Sequence, residues 1–534
     1  MGATKRYDVV VIGAGFAGLY ALHRFRDGLG LNVRVYESGD GIGGTWFWNR
    51  YPGARCDSES YYYCYSFSKE LEQEWEWSSR YPAQPEILKY LHHVADRFDL
   101  RRDIQLSTRV AGAEYDDDAN EWAVHLDGEA EVRARFVVSA VGCLSATNVP
   151  RIPGLDSFEG RWVHTANWPK QGVDFKGKRV GLIGTGSTGI QATPVIAEEA
   201  EHLTVFQRTA NYTIPARNRP IPPEEWAGIK RRYDEIRDIQ DRSEGGFPYL
   251  LEPKRALDVT EEEREQIFQR GWDEGGFAFF WGGFNDLLRD KDANDTAADF
   301  VRRKIREVVQ DPDVAERLTP RDHPFGTKRP PIDTNYWATF NRENVDLVDI
   351  RKDPIVEITK KGLRTEDAQY ELDVIVFATG FDAMTGSLLR MDLRGESGVR
   401  LADKWAAGPK TFLGLQVSGF PNFFLITGPG SPSVLFNMPT GIEQHVDWIG
   451  DCIEYMQKNG YSRIVANADA EARWIEHVNE VANDTLYREA RSWYVGANIP
   501  GKPDVFMPYV GGQTMYKQHL NASVDGGYDG FTLR

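Results

Sequence analysis

YDVVVIGAGFAGLYALHRFRDGLGLNVRVYESG, from Tyr7 to Gly39, is the stretch whose reading decides the fold. Val9 to Ile12 form a short apolar run that predicts a buried strand, and Gly13, Gly15 and Gly18 then make a GxGxxG turn. A helical segment follows, and NVRVY predicts a second strand ending near Glu37. Strand, turn, helix, strand and acid in that order make a βαβ dinucleotide-binding unit. The helix N-terminus offers free amides and the positive end of a dipole to a pyrophosphate, and Glu37 can accept hydrogen bonds from a ribose diol.

A second unit of the same design begins with KRVGLIGTGSTGIQATPVIAEEAEHLTVFQRTA, whose glycines are Gly184, Gly186 and Gly189. Arg208 and Glu37 each lie 24 residues beyond the first glycine of their turn, so the two units carry opposite charges at the same place. An acid suits a free 2′-hydroxyl, whereas arginine grips a 2′-phosphate bidentately. FAD is therefore expected on the first turn, and NADPH in preference to NADH on the second.

Working outward, Pro222 to about Asp322 is charged and helix-prone, with runs such as EEWAGIKRRYDEIRDIQDR that read as solvated faces. ELDVIVFATGFDAMTG (Glu371 to Gly386) reads as a strand and a small-residue turn, and FLGLQVSGFPNFFLITGPGSP returns apolar strands. The predicted class is α/β, with two Rossmann-like dinucleotide-binding domains and a helical insertion. The FAD domain takes 1–145 and 385–534, the NADP domain 146–221 and 323–384, and the insertion 222–322. FEGRWVHTANWP (Phe158 to Pro169) lies between the two turns and reads as a hinge between the cofactor sites.

The chain has 534 residues, enough for two or three cores. A formal charge of −17 repels nucleic acid and anionic membrane surfaces, and no run reaches the roughly 20 apolar residues of a membrane span. Gly2 does not make a myristoylation signal, because Arg6 stands where Ser or Thr is required. Cys56, Cys64, Cys143 and Cys452 show neither CxxC pairing nor metal-ligand spacing, so a reducing cytoplasm and no metal are expected; a monomer is also expected. Cys56 and Cys64 lack the spacing of a redox disulfide, which leaves dioxygen as the sink for electrons from the flavin. GIGGTWFWNRYPGARCDSESYYYCYSF crowds Trp46, Trp48, Tyr51, Tyr61, Tyr62, Tyr63 and Tyr65 around Gly43 and Gly44, and reads as flat walls for an isoalloxazine or nicotinamide ring.

Two motifs carry a family resemblance. FEGRWVHTANWP resembles the fingerprint FxGxxxHxxxWP of Baeyer-Villiger monooxygenases at Phe158, Gly160, His164, Trp168 and Pro169. GGTWFWNRYPGARCD resembles a second one, GGxWxxxxYPGxxxD, at Gly43, Gly44, Trp46, Tyr51, Pro52, Gly53 and Asp57. With FATGFD (Phe377 to Asp382), the likeness spans nearly the whole chain. It implies that NADPH reduces FAD, that O2 then gives a C4a-peroxyflavin, and that this attacks a ketone to form an ester or lactone, with sulfide oxidation as a side activity. The alternative is a related N- or S-oxygenating flavin monooxygenase.

The resemblance also implies roles. Arg329 corresponds to the catalytic arginine, whose permanent charge stabilises anions without giving up a proton; Asp57 positions it. FAD contacts fall on Gly13, Gly15, Ala17, Gly18, Glu37, Gly44, Thr45, Trp46, Asp57, Tyr63, Val110 and Met438. NADP contacts fall on Arg55, Cys56, Thr185, Gly186, Ser187, Thr188, Gln191, Arg208, Thr209, Lys328, Arg329 and Trp493. Lys328 joins Arg208 and Thr209 at the 2′-phosphate, and Trp493 sits on a loop that closes over NADP. Val434, Leu435 and Phe436 line the substrate pocket. His164 is expected to couple domain movement, not to act as a base.

Overall fold

The computed structural model describes residues 4–128 and 130–534, so Gly2 lies outside the described residues. Among those described, no helix is long and apolar enough to cross a membrane. Each glycine turn opens off a strand of its own mainly parallel sheet. The first sheet takes β1 (Lys5–Ile12), β2 (Val33–Tyr36), β3 (Ile104–Gln105), β4 (Val110–Asp116), β5 (Glu121–Leu126) and β6 (Glu131–Ser139). The second takes β7 (Arg161–His164), β8 (Arg179–Ile183) and β9 (His202–Gln207). A short ladder joins β10 (Ile214–Pro215) to β11 (Ile332–Asp333), after which β12 (Val345–Asp349) returns to the second sheet. A small antiparallel sheet follows in β13 (Ile355–Thr359), β14 (Gly362–Thr365) and β15 (Gln369–Glu371). β16 (Val374–Phe377) completes the second sheet, and β17 (Asp392–Arg394) and β18 (Phe423–Leu425) rejoin the first.

The first sheet runs β17-β4-β5-β6-β1-β2-β3 and the second β12-β9-β8-β16-β7. Val9, Val10 and Val11 are fully buried because the parallel core of the first sheet is covered on both faces, which is why β1 reads as a continuous apolar run. β6 is shared: its first half pairs antiparallel with β5, and Val137 to Ser139 pair in parallel with Phe423 to Leu425. That second pairing sews the C-terminal part of the chain into the N-terminal sheet.

The stretch expected to be a hinge is instead partly a strand. Arg161 to His164 form β7, in register with Val374 to Phe377 at the edge of the second sheet. Gly160 is required there, since a Cβ would lie 2.6 Å from the Asp373 carbonyl oxygen and 2.5 Å from the Phe158 ring. The motif is thus held by sheet hydrogen bonds.

The insertion contains helices Pro223–Arg231, Tyr233–Arg242, Glu261–Glu274, Lys291–Val308 and Pro312–Leu318, and the β10–β11 ladder closes its base. Thr260, Asp290 and Asp311 cap three of these helices by accepting from first-turn amides. Its apolar stripes, including Phe268, Trp272, Phe300 and Val301, are buried in one core with the second sheet. Much of its charge faces outward, but Arg237 turns inward: its side chain is only 15% exposed and pairs with Glu72 at 2.8 Å.

Candidate active site

The two glycine turns share one construction. A Cβ on Gly18 would meet the Gly13 carbonyl oxygen at 1.8 Å, and one on Gly189 would meet that of Gly184 at 2.1 Å, so each helix starts pressed onto its own strand end. Neither helix has a side-chain cap, which leaves the first-turn amides free for an anion. The middle glycines differ. Gly15 packs on Gly44, where a Cβ would come within 3.3 Å of the Gly44 Cα, whereas a Cβ on Gly186 would meet nothing within 4 Å. The first turn is therefore roofed by the aromatic loop and the second opens to space beside exposed Ser187. Glu37 is 5% exposed and held by the Ala14 and Gly39 amides at 2.8 and 2.7 Å. A carboxylate has about four acceptor positions, so capacity for a ribose hydroxyl remains. These features fit two dinucleotides.

One loop joins the two sheets. Gln191, on the helix Ser187–Glu199, accepts from the Tyr51 hydroxyl at 2.8 Å and donates to the Arg55 carbonyl at 3.1 Å. Gly53 lies so close beneath that a Cβ would reach the Gln191 carbonyl oxygen at 2.3 Å. The YPG turn is thus shaped to the second unit's helix, and Arg55, Cys56 and Asp57 follow directly from it between the two units.

There Asp57 meets Arg329, 272 positions away. Arg329 donates from Nε to Oδ2 at 2.7 Å and from Nη2 to Oδ1 at 3.0 Å, a bidentate pair. Nη1 donates to the Val434 carbonyl at 2.8 Å, and the guanidinium carbon lies 4.7 Å from the Phe277 ring centroid. Burial alone would lower the arginine's pKa, but the facing Asp57 carboxylate outweighs it and holds the guanidinium above its usual value. Arg329 has five N–H groups and uses three here, so two remain for a ligand.

The apolar side is shared by distant segments. Val434, Leu435, Met438, Cys143 and Trp493 meet in one cluster, with Trp493 tilted on Tyr494 at 4.4 Å between centroids. The loop carrying Trp493 is pinned where Lys502 donates to Asp382 at 2.6 Å and Asn498 donates to the Phe381 carbonyl at 2.7 Å. Leu435 is half-buried, whereas Phe436 is 2% exposed and packs over Gly246.

Part of the aromatic loop does not make walls. Tyr62 and Tyr65 are fully buried, the latter donating to the Phe16 carbonyl at 2.6 Å, so they are core. Trp48 is 38% exposed and faces outward. Trp46 and Tyr63 remain together, the indole N–H donating to the phenol oxygen at 3.2 Å. Thr45 is exposed, Ala17 and Cys56 are buried, Val110 heads β4 and Met438 starts the helix Met438–Asn459.

His164 is 3% exposed; its Nδ1 accepts from the Ala166 amide at 3.1 Å, so the proton resides on Nε2, 3.3 Å from the Thr379 hydroxyl. Thr379 donates onward to the Asn148 carbonyl at 2.6 Å. Burial keeps the imidazole pKa low. This neutral ring ties β7 to the FATGFD turn.

The model of the flavin-binding monooxygenase-like family matches residues 5–220. A Baeyer-Villiger monooxygenase of Pseudooceanicola batsensis is 46% identical over 98% of this chain and 95% of its own. A phenazine N-monooxygenase of Lysobacter antibioticus is 42% identical over 99% and 97%. A solved oxidized steroid monooxygenase bound to NADP is 53% identical over 99% of both chains, with a TM-score of 0.95. The chain belongs to the flavin-binding Baeyer-Villiger monooxygenase family.

In this Baeyer-Villiger family member, Arg208 directly follows β9 with no ion-pair partner among the described residues, and Lys328 likewise has none. Thr185 donates to the Thr209 carbonyl at 2.7 Å, tying the second turn to the strand end. The sequence reading missed two groups here. Arg351 reaches Thr209 from the neighbouring strand, which only the β9–β12 pairing reveals. Phe247 and Phe277 come from the insertion to stack near Arg329, and no motif marks them.

Proposed function

We propose that this chain is an FAD-containing, NADPH- and O2-dependent Baeyer-Villiger monooxygenase that inserts one oxygen beside a ketone carbonyl. The Arg329–Asp57 pair between the two dinucleotide units is the observation that carries the reading. Bound flavin supplies hydride acceptance from NADPH and activation of O2; the remaining work falls to the chain. In this reading the first sheet, with 1–145 and 385–534, holds FAD through the Gly13–Gly18 turn, Glu37, Gly44, Thr45, Trp46, Tyr63, Val110 and Met438. The second, with 146–221 and 323–384, holds NADPH through Arg55, Cys56, Thr185 to Thr188, Gln191, Arg208, Thr209 and Lys328. Arg329 stabilises negative charge on oxygen with its two remaining N–H groups, and Asp57 keeps its fork oriented. The Phe277 ring and the Val434 segment leave the Arg329 side chain only 22% exposed, which strengthens that interaction. Trp493 covers the nicotinamide side, and Val434, Leu435 and Phe436 favour a lipophilic ketone. Four buried, unpaired thiols suit a reducing cytoplasm.

The N-oxygenating relative supports a second reading in which a soft nucleophile replaces the ketone. Anaerobic NADPH should bleach the flavin, and air with a cyclic ketone, a thioether and a tertiary amine supplied side by side should yield lactone as the main product. Bleaching followed by amine or sulfide oxidation alone would favour the second reading; an unbleached flavin would dismiss both.

A further inference from the structure

Gln207 in β9 pairs with Asp349 in β12, so Arg351 stands beside Thr209, two residues past that rung on each strand. Arg351 donates to the Thr209 hydroxyl at 2.8 Å and forms an ion pair with Asp322, and its side chain is 50% exposed. Asp322 lies 2.7 Å from His323 Nδ1, on the side away from solvent. Burial and the nearby charges of Arg351 and Arg208 lower the Lys328 pKa while Asp322 opposes them, so three cations and one acid share one field. Arg208 and Lys328 have no ion-pair partner among the described residues, and burial keeps His323 neutral. The cluster thus carries two uncompensated positive charges, the complement of a phosphate monoester, which bears about −1.5 to −2 at neutral pH.

We infer that Arg351 is a third cation of the 2′-phosphate site and a determinant of the preference for NADPH over NADH, held in place by Asp322 and Thr209 until the phosphate arrives. The inference rests on the NADPH reading of the second turn. Arginine suits the task because its planar fork can keep Thr209 while offering further N–H groups to phosphate oxygens.

Calorimetric titration of the holoenzyme with adenosine 2′,5′-bisphosphate and with 5′-AMP isolates the 2′-phosphate without turnover. Arg351→Gln should weaken bisphosphate binding about 10-fold, the equivalent of one charge-assisted contact, and leave 5′-AMP within about twofold. Arg351→Lys, which keeps the charge, should recover part of the loss. An unchanged bisphosphate to 5′-AMP ratio in Arg351→Gln would overturn the inference while leaving the NADPH reading intact. No preference for the bisphosphate in the unaltered enzyme would overturn both.

Discussion

Replacing Arg329 with alanine should cut ester formation by about 10²–10³-fold or more, while anaerobic bleaching of the flavin by NADPH largely survives. The asymmetry follows from what the guanidinium touches. Its contacts are Asp57, the Val434 carbonyl and the Phe247 and Phe277 rings, and none of these belongs to the glycine turns that hold the dinucleotides. Removing it deletes a fixed positive charge where oxygen must carry a negative one, and leaves the hydride path in place. Asp57 is 25% exposed, so water can take its lost hydrogen bonds and the variant should fold. Arg329→Lys should fall between the two, because lysine keeps the charge but cannot grip Asp57 with a planar fork. Product chromatography and anaerobic stopped-flow absorbance measure the two halves separately. Ester formation retained within about tenfold would remove Arg329 from the chemistry.

The second large effect is on stability. Arg237→Ala should destabilise the docking of the insertion by about 3–5 kcal/mol, the usual cost of orphaning one member of a buried ion pair. Arg237 reaches Glu72 at 2.8 Å, Gln240 at 2.8 Å and Cys64 Sγ at 3.3 Å, and the Glu72 side chain is 1% exposed. Burial would lower the arginine's pKa, yet Cys64 and the Glu72 and Glu443 carboxyls beside it hold it above its ordinary value. Without the arginine, Glu72 stays buried with only the exposed Lys69, 4.0 Å away, to offset its charge. A lower urea midpoint should appear together with proteolytic cleavage within 222–322. Pairing Arg237→Met with Glu72→Leu should restore most of the loss, since two apolar groups remove the stranded charge. A single variant with an unchanged midpoint and cleavage pattern would show that the pair does not hold the insertion.

What could be read from the chain and what could not divide along physical lines. Both βαβ units were legible because strand, glycine turn and helix are local in sequence, and the structure places β1 with β2 and β8 with β9 as adjacent parallel strands. The β4–β5 hairpin and the β13–β15 sheet went unread. Their buried residues are interrupted by exposed or half-buried ones, as in Val110–Asp116 and Ile355–Thr359, so no long apolar run marks them. Composition makes Tyr62 and Tyr65 read as pocket walls, because it does not say which side of a loop faces the core where both are buried. The Arg329–Asp57 contact spans 272 positions, and no spacing rule connects them; only the family likeness drew them together in advance. Arg351 was invisible for a related reason, since it reaches Thr209 through a strand order that sequence does not state.

The most direct test of the central claim, that Arg329 works beside activated oxygen to turn a ketone into an ester, is turnover of a cyclic ketone with NADPH under ¹⁸O2. The account predicts one NADPH oxidised per lactone formed, with a single labelled atom at the ring oxygen and none at the carbonyl. NADPH oxidation that yields only hydrogen peroxide, with the ketone recovered unchanged, would contradict it.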